Sequence, residues 1–402
     1  MFPRVRDSRT RLFLTLCIVG IFAILSSTMS KNPVLKPFAT HLETPEGFWM
    51  GFVASASTIP GILISLPAAS LSDIFGRKRV LLISAVVFAS APFLYLLIAV
   101  WWQLILVRFY HGFATAIFVP VAEASIAELF PAQRGERISL FSSATAIGRG
   151  IAPFLGGYIL FVTAYSFHIL YLAVGVAGVT ALVTVTLLLA ERKRSNVLFI
   201  SSEKTAERIF HGWKTIAANS SILVASFTQA CQYYAFGTVE FFLVGYLKDV
   251  VQLDAFQIGV IMGSQVIAVI LAKPFMGRLS DKIGRRTPVI AGSIVSGLPL
   301  LIMPFSTQSI LLLLLSITYG LGFAMVTSST PALVSELAPG NLMGTAMGFL
   351  GMTMDIGQTV GPLITGIVLA TSLGYQGSFP AVTTVLLVSV VAFALFRVGK
   401  AK

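Results

Sequence analysis

The chain has 402 residues, of which 56% are hydrophobic and only 11% are charged, and its formal net charge is +12. Soluble domains carry about 25% charged residues, and a single domain of this size does not build a core that could bury so much apolar surface. The composition therefore excludes a soluble enzyme, a disordered chain and a disulfide scaffold, and it predicts a polytopic membrane protein.

Uncharged runs separated by short charged segments predict twelve transmembrane helices, because each run can cross about 30 Å of hydrocarbon. Longer runs are divided where polar or glycine-containing breaks indicate hairpins. The predicted spans are 12–31, 47–69, 80–100, 102–127, 138–161, 166–190, 217–247, 256–276, 288–305, 309–334, 343–371 and 379–397.

The distribution of basic residues predicts the orientation in the membrane. Of the 28 Lys and Arg residues, 22 fall in segments on the side of the N-terminus, and only Lys31, Lys36 and Lys248 fall in loops on the other side. The positive-inside rule then places both termini in the cytoplasm of a multi-pass cell-membrane protein. Because the basic residues form no single basic face, we expect no nucleic-acid partner.

A repeat divides the chain into two halves. The pattern Ser72-Asp73-x-x-Gly76-Arg77 recurs 208 residues later as Ser280-Asp281-x-x-Gly284-Arg285, and Glu128-Leu129-x-Pro131 recurs at the same offset. This predicts a six-helix N-terminal bundle (1–190), a cytoplasmic linker (191–216) and a six-helix C-terminal bundle (217–402). Two parallel repeats of this kind are typical of secondary transporters that work by alternating access.

The repeated pattern places glycines and charges in the loops after helices 2 and 8. Gly76 and Gly284 permit a tight turn, and Arg77 is expected to pair with an acid such as Glu128. The alternative is that these charges serve only to fix the topology. The residues assigned to this motif are Asp73, Gly76, Arg77, Lys78, Glu128, Asp281, Gly284, Arg285 and Arg286.

Two further motifs lie within the spans. Arg108, Gly112 and Ala116 are spaced by four on helix 4, which puts them on one face. Helix 5 carries a pattern of glycines and one proline that would bend the helix and allow close packing, or that serves only generic helix packing. Its residues are Gly148, Pro153, Gly156 and Gly157, with Gly361 and Pro362 as the counterparts on helix 11.

With these motifs along nearly its whole length, the chain resembles the major facilitator superfamily, and its helix-5 pattern resembles that of the twelve-span drug:proton antiporters, with Ala152 in place of one glycine. The resemblance implies an all-α integral membrane fold of twelve helices in two parallel six-helix repeats. It also implies that the loop motif latches one conformation, and that Arg108 acts in proton transfer or in local packing. The antiporters' acid in helix 1 has no counterpart in this sequence.

Ionisable residues within spans are expensive in a bilayer and therefore indicate function. Arg108, Glu123, Arg149, Glu240 and Asp355 are assigned to proton coupling or to a substrate cavity. For Glu123 two interpretations stay open, a proton carrier or a static ion-pair partner of Arg149. Asp355, near the middle of helix 11, is expected to act in coupling. Aromatic and Met residues form either a soft pocket or ordinary packing, namely Tyr233, Tyr234, Phe236, Met352 and Met354.

The sequence thus predicts a monomeric, proton-coupled exporter of small amphipathic or drug-like compounds, with protons, its substrate and the lipid bilayer as partners. Neither a nucleotide-binding loop nor metal-ligand spacing is present, so no metal, no other cofactor and no enzymatic activity are expected. One alternative is a proton-coupled uptake symporter in which Arg108 and Arg149 bind a small organic anion. Another is a membrane-embedded receptor or enzyme, which would need a catalytic cluster or a large extramembrane domain.

Overall fold

The computed structural model describes residues 8–131, 133–189, 213–339 and 342–396, and all regular secondary structure in these ranges is helical. The predicted all-α membrane fold is confirmed. Nine helices in the described ranges are long and apolar enough to cross a membrane. The three other predicted spans are a split helix, a helix extended by π-helical turns and a 27-residue helix.

One compact unit comprises residues 1–43 and 59–199. Its helices are α1 (Ser8–Met29), α2 (Leu35–His41), α4 (Ile59–Phe75), α5 (Arg77–Tyr95), α6 (Trp101–Leu129), α7 (Arg134–Val162) and α8 (Phe167–Leu189). Within it, α1 packs against α7 and α8, and α5 packs against α6 and α8. Phe88, Phe118 and Phe141 are fully buried in its core.

The second unit comprises residues 44–58 and 200–402. Its helices are α3 (Phe48–Ser55), α9 (Ser220–Thr238), α10 (Ala255–Ile283), α11 (Arg286–Ile302), α12 (Ser309–Leu337), α13 (Met343–Leu369) and α14 (Gly374–Leu395). Here α9 packs against α13, and α12 packs against α10 and α11. Most of the predicted linker, 191–216, lies outside the described residues, but its Trp213 ring lies 5.9 Å from the Phe349 ring.

The predicted second span is two helices, α3 and α4, separated by a turn over residues 56–58. Pro60 explains the break, because it has no N–H to donate to the carbonyl of Ala56. The Thr58 hydroxyl donates to the carbonyl of Ser55 at 2.8 Å and so satisfies one carbonyl at the end of α3. Residues 44–58 group with the second unit because α3 packs on α13.

Candidate functional site

The loop between α4 and α5 joins the end of α6 through Arg77. Gly76 has a φ of +90°, so the tight turn requires glycine. The Arg77 guanidinium donates to Glu128 Oε1, at 2.6 Å from NH2, and also to the hydroxyl of Ser72. Lys78 follows at the start of α5 and is partly buried. The pairing of Arg77 with Glu128 therefore ties three helices of this unit together at one end.

The second copy of the motif repeats this arrangement in the other unit. Gly284 has a φ of +85°. Arg285 donates to Glu336 Oε1 at 2.9 Å and to the Ser280 hydroxyl at 2.7 Å, and it also forms an ion pair with Asp281. Burial alone would lower the pKa of the Arg285 guanidinium, but the hydrogen bonds and charges of Glu336 and Asp281 raise it.

Glu336 was not among the residues assigned to this motif from sequence, and neither were Ser72 and Ser280, whose hydroxyls accept from the two arginines. The signal that could have identified Glu336 is its offset of 208 from Glu128. Arg286, next to this cluster, donates to the carbonyl of Ala394 at 2.8 Å and so holds the end of α14.

We expect removal of the arginine to cost more stability than removal of one acid partner. Glu336 is half exposed, at 53%, so Glu336→Gln should lower the free energy of unfolding by about 0.5–1 kcal/mol. Arg285→Gln should cost about twice as much, since three partners lose their donor. Thermal unfolding of the two purified variants, with Glu136→Gln as an exposed acid-to-amide control, measures the difference. Equal midpoints for the Arg285 and Glu336 variants would contradict the three-partner arrangement.

Arg108 lies in a buried polar cluster of the first unit. Its side chain is 1% exposed, and Gly112 and Ala116 are buried on the same face of α6, as the spacing predicts. The guanidinium lies close enough to the Tyr95 hydroxyl to interact with it electrostatically, and the Tyr95 ring stacks on the Tyr171 ring at 4.3 Å. The two tyrosines were not assigned from sequence, because nothing in their spacing indicates that they meet. Arg108 is thus held by aromatic and polar side chains in the interior of the unit.

Glu123 and Arg149 do not meet in the structure. Glu123 is partly buried in α6, whereas Arg149 is exposed on α7. Within the described ranges no hydrogen bond or ion pair joins either side chain to another residue. The arrangement therefore lacks the salt bridge that one of the two sequence interpretations of Glu123 requires.

Glu240 and Asp355 lie in the second unit. Glu240 occupies a π-helical turn, Val239–Leu243, that follows α9 directly, and it accepts a hydrogen bond of 3.3 Å from the Gln358 amide on α13. Asp355 is partly exposed on α13, and its carbonyl accepts the Thr359 hydroxyl at 2.7 Å. A second π-helical turn, Tyr246–Val250, follows the one that holds Glu240, and π-helical turns are frequent at functional sites. Sequence periodicity gave no signal for this turn or for the contact with Gln358.

The glycine motifs allow backbones to touch within each unit. A Cβ atom on Gly148 of α7 would overlap the carbonyl oxygen of Ile21 on α1. Gly357, its counterpart in the repeat, is equally close to the carbonyl of Ala230 on α9, and Gly361, one turn later, is equally close to the carbonyl of Tyr234. Pro153 and Pro362 lie inside α7 and α13. Close helix packing is therefore what these glycines provide.

Comparisons with known proteins agree with this architecture. The sequence model described as Major Facilitator Superfamily matches residues 13–242 and 225–402. The multi-drug resistance efflux pump PmrA homolog of Lactococcus lactis is 24% identical over 394 residues, which cover 94% of this chain and 93% of that protein. The multidrug resistance protein MdtG of Enterobacter lignolyticus is 26% identical over 399 residues, covering 96% and 93%.

Among solved structures, a D-xylose-proton symporter matches with a TM-score of 0.79 at 16% identity, covering 96% of this chain and 97% of that one. At this identity the likeness extends to the fold alone. Each match covers nearly the full length of this chain and of the matched protein, so fold and length agree across the three comparisons.

Proposed function

Because the chain belongs to the major facilitator superfamily, we propose that it is a proton-coupled exporter of small amphipathic or drug-like compounds. Two relatives of similar length are named for multidrug efflux or resistance. The observation that carries the proton-coupled part is Glu123, a partly buried carboxyl inside a span with no hydrogen bond or ion pair to the described residues. A membrane protein retains such a costly group for a function.

Proton exchange at Glu123 gives the coupling step. With the proton bound, the carboxyl is neutral and tolerates the dry interior; without it, the charge demands water or a cationic substrate. The proton and the substrate would then bind in turn to the first unit, as antiport requires. Asp355, on α13, is a second carboxyl that can take part in the same exchange.

The two arginine clusters at the cytoplasmic ends are proposed as latches. Arg77 with Glu128, and Arg285 with Glu336, each join a loop to the end of a helix in its own unit. Breaking a partly exposed ion pair costs only about 0.2–1 kcal/mol, so each latch biases a conformational equilibrium without locking it. The prolines of α7 and α13 would keep these helices bent during the conformational change, and their close-packed glycines would keep each helix against the same neighbouring helix.

A second function, uptake of a small organic anion with a proton, is favoured by one observation. Arg149 is exposed on α7 and makes no hydrogen bond or ion pair within the described ranges, so its guanidinium is available to a carboxylate. The direction of transport and the charge of the substrate separate this function from export.

The excess of Lys and Arg in segments on one side supports a multi-pass protein of the cell membrane with both termini in the cytoplasm. We further propose that it works as a monomer and performs no chemical reaction on its substrate.

Purified protein in liposomes with a trapped pH-sensitive dye tests the function. A proton gradient is imposed, and lipophilic cations and organic anions are added one at a time, with empty liposomes as the control. Proton movement opposite to an added cation supports export. Proton movement together with an added anion supports the symporter, and no response to any compound would contradict both.

A further inference from the structure

Four buried polar side chains meet in the first unit and form what we call the Arg108 cluster. Each is at most 4% exposed, and together they come from α5, α6 and α8: Tyr95, Arg108, His111 and Tyr171. The Tyr95 ring, which stacks on Tyr171, also lies edge-on to the His111 ring at 5.9 Å between centroids. The Arg108 guanidinium is close enough to act electrostatically on all three other members. Three helices thus meet at one buried cation.

Two polar atoms of the Arg108 cluster, His111 Nε2 and the Tyr171 hydroxyl, are buried with no hydrogen-bond partner among the described residues. A tyrosine hydroxyl can donate, and a neutral imidazole can hold its hydrogen on either nitrogen. With the hydrogen on Nε2, His111 Nδ1 is left to accept from the Tyr95 hydroxyl, which lies 3.5 Å away. Both partnerless atoms can therefore donate, and an acceptor would satisfy both.

The charges beside these two donors favour an acceptor that is negatively charged. Arg108 and Lys31 both act electrostatically on His111, and each is a cation. A buried donor without an acceptor is costly, and an acceptor near two positive charges is stabilised further if it carries a negative one. Lys31 lies in the turn after α1 and is partly exposed, so an ion from solution would reach the cluster on that side.

We propose that the Arg108 cluster binds one small inorganic anion of the size of chloride. His111 Nε2, the Tyr171 hydroxyl and the Arg108 guanidinium are its donors, and the ammonium of Lys31 adds a second positive charge. A monatomic ion accepts hydrogen bonds from any direction, whereas a carboxylate needs the planar fork of an arginine to itself. The burial of all four side chains also favours a small ion over a transported organic compound. The bound ion would hold α5, α6 and α8 together, so the inference concerns stability and goes beyond the proposed export function.

Thermal unfolding of the purified protein in detergent tests the site, with chloride replacing gluconate at constant ionic strength. An ion that binds only the folded protein raises the unfolding midpoint with its concentration, and we expect a rise of about 2–4 °C from about 1 to about 100 mM chloride. Tyr171→Phe removes one donor and keeps the stacked ring, so it should lose at least about half of this rise.

Tyr319→Phe is the matched control. Tyr319, on α12 of the second unit, also has a buried hydroxyl without a hydrogen-bond partner among the described residues. The charged group that acts on it electrostatically is the carboxylate of Glu240 rather than a cation. The variant should therefore keep the full rise in midpoint with chloride, which separates binding at the Arg108 cluster from a general effect of the salt.

A wild-type midpoint that does not rise with chloride would overturn the site and would mean that buried water satisfies the two donors. A full rise in Tyr171→Phe, or equal losses in the two tyrosine variants, would overturn it as well. Where Tyr171→Phe does not fold, the chloride NMR line decides: folded wild type should broaden it more than the same protein after heat unfolding, and equal broadening would refute the proposal.

Discussion

The Glu123→Gln variant should lose proton-driven export by at least about tenfold, the usual scale of coupling between two ligands. The amide has nearly the shape of the carboxyl but cannot bind and release a proton. Exchange of substrate across the membrane without a proton gradient should continue. In wild type a proton competes with the substrate, so substrate affinity should rise as pH increases, and in the variant this dependence should flatten. Transport in liposomes, with and without a gradient, measures both effects.

A matched control is Glu136→Gln, the same chemical change at an exposed position in the first turn of α7. It should leave gradient-driven export and its pH dependence unchanged. If Glu123→Gln transports as wild type does, Glu123 is not the carrier. Asp355→Asn then becomes the decisive variant, and loss of coupling in that variant would identify Asp355, on α13, as the proton carrier.

Local patterns in the sequence were enough to predict the loop motifs. Both Gly76 and Gly284 adopt the positive φ expected of the turn, because only backbone sterics decide that conformation. The pairing of Arg77 with Glu128 was also predictable, since both lie in charged segments between the predicted spans and recur at one offset. The twelve-span fold followed from the uncharged runs for a similar reason, because the bilayer dictates length and polarity.

Contacts between helices were not predictable in the same way. A period of 3.6 residues states which side chains share a face but not which helix that face meets. For this reason the sequence placed Glu123 beside Arg149 as one option, whereas the structure leaves them apart, and it gave no indication that Phe323 of α12 stacks on Phe236 of α9. The break between α3 and α4 was missed because an uncharged run hides the effect of Pro60.

Packing of α13 on α9 fixes the rotation of α9. The carbonyls of Ala230 and Tyr234 on α9 fit against Gly357 and Gly361 on α13, one turn apart on each helix. Gln358, next to Gly357, reaches Glu240 from the same interface. With the Tyr234 side of α9 fixed to α13, the rings of Tyr233 and Phe236 face Phe323 of α12.

The Gly357→Ala variant should therefore be strongly destabilised. Its new methyl group would overlap the Ala230 carbonyl oxygen, a backbone atom that cannot turn aside as a side chain can. The two helices would have to separate, at a cost of about 1–3 kcal/mol or more. Size-exclusion chromatography after heating of the detergent-solubilised protein should show a lower midpoint and a smaller folded fraction.

Gly351→Ala is the matched control, since Gly351 lies on the same helix six residues earlier and a methyl group there would meet no atom within 4 Å. Alanine favours helix over glycine by about 1 kcal/mol, so this variant should be as stable as wild type or more stable. Equal midpoints for the two variants would show that α9 and α13 do not touch at Gly357.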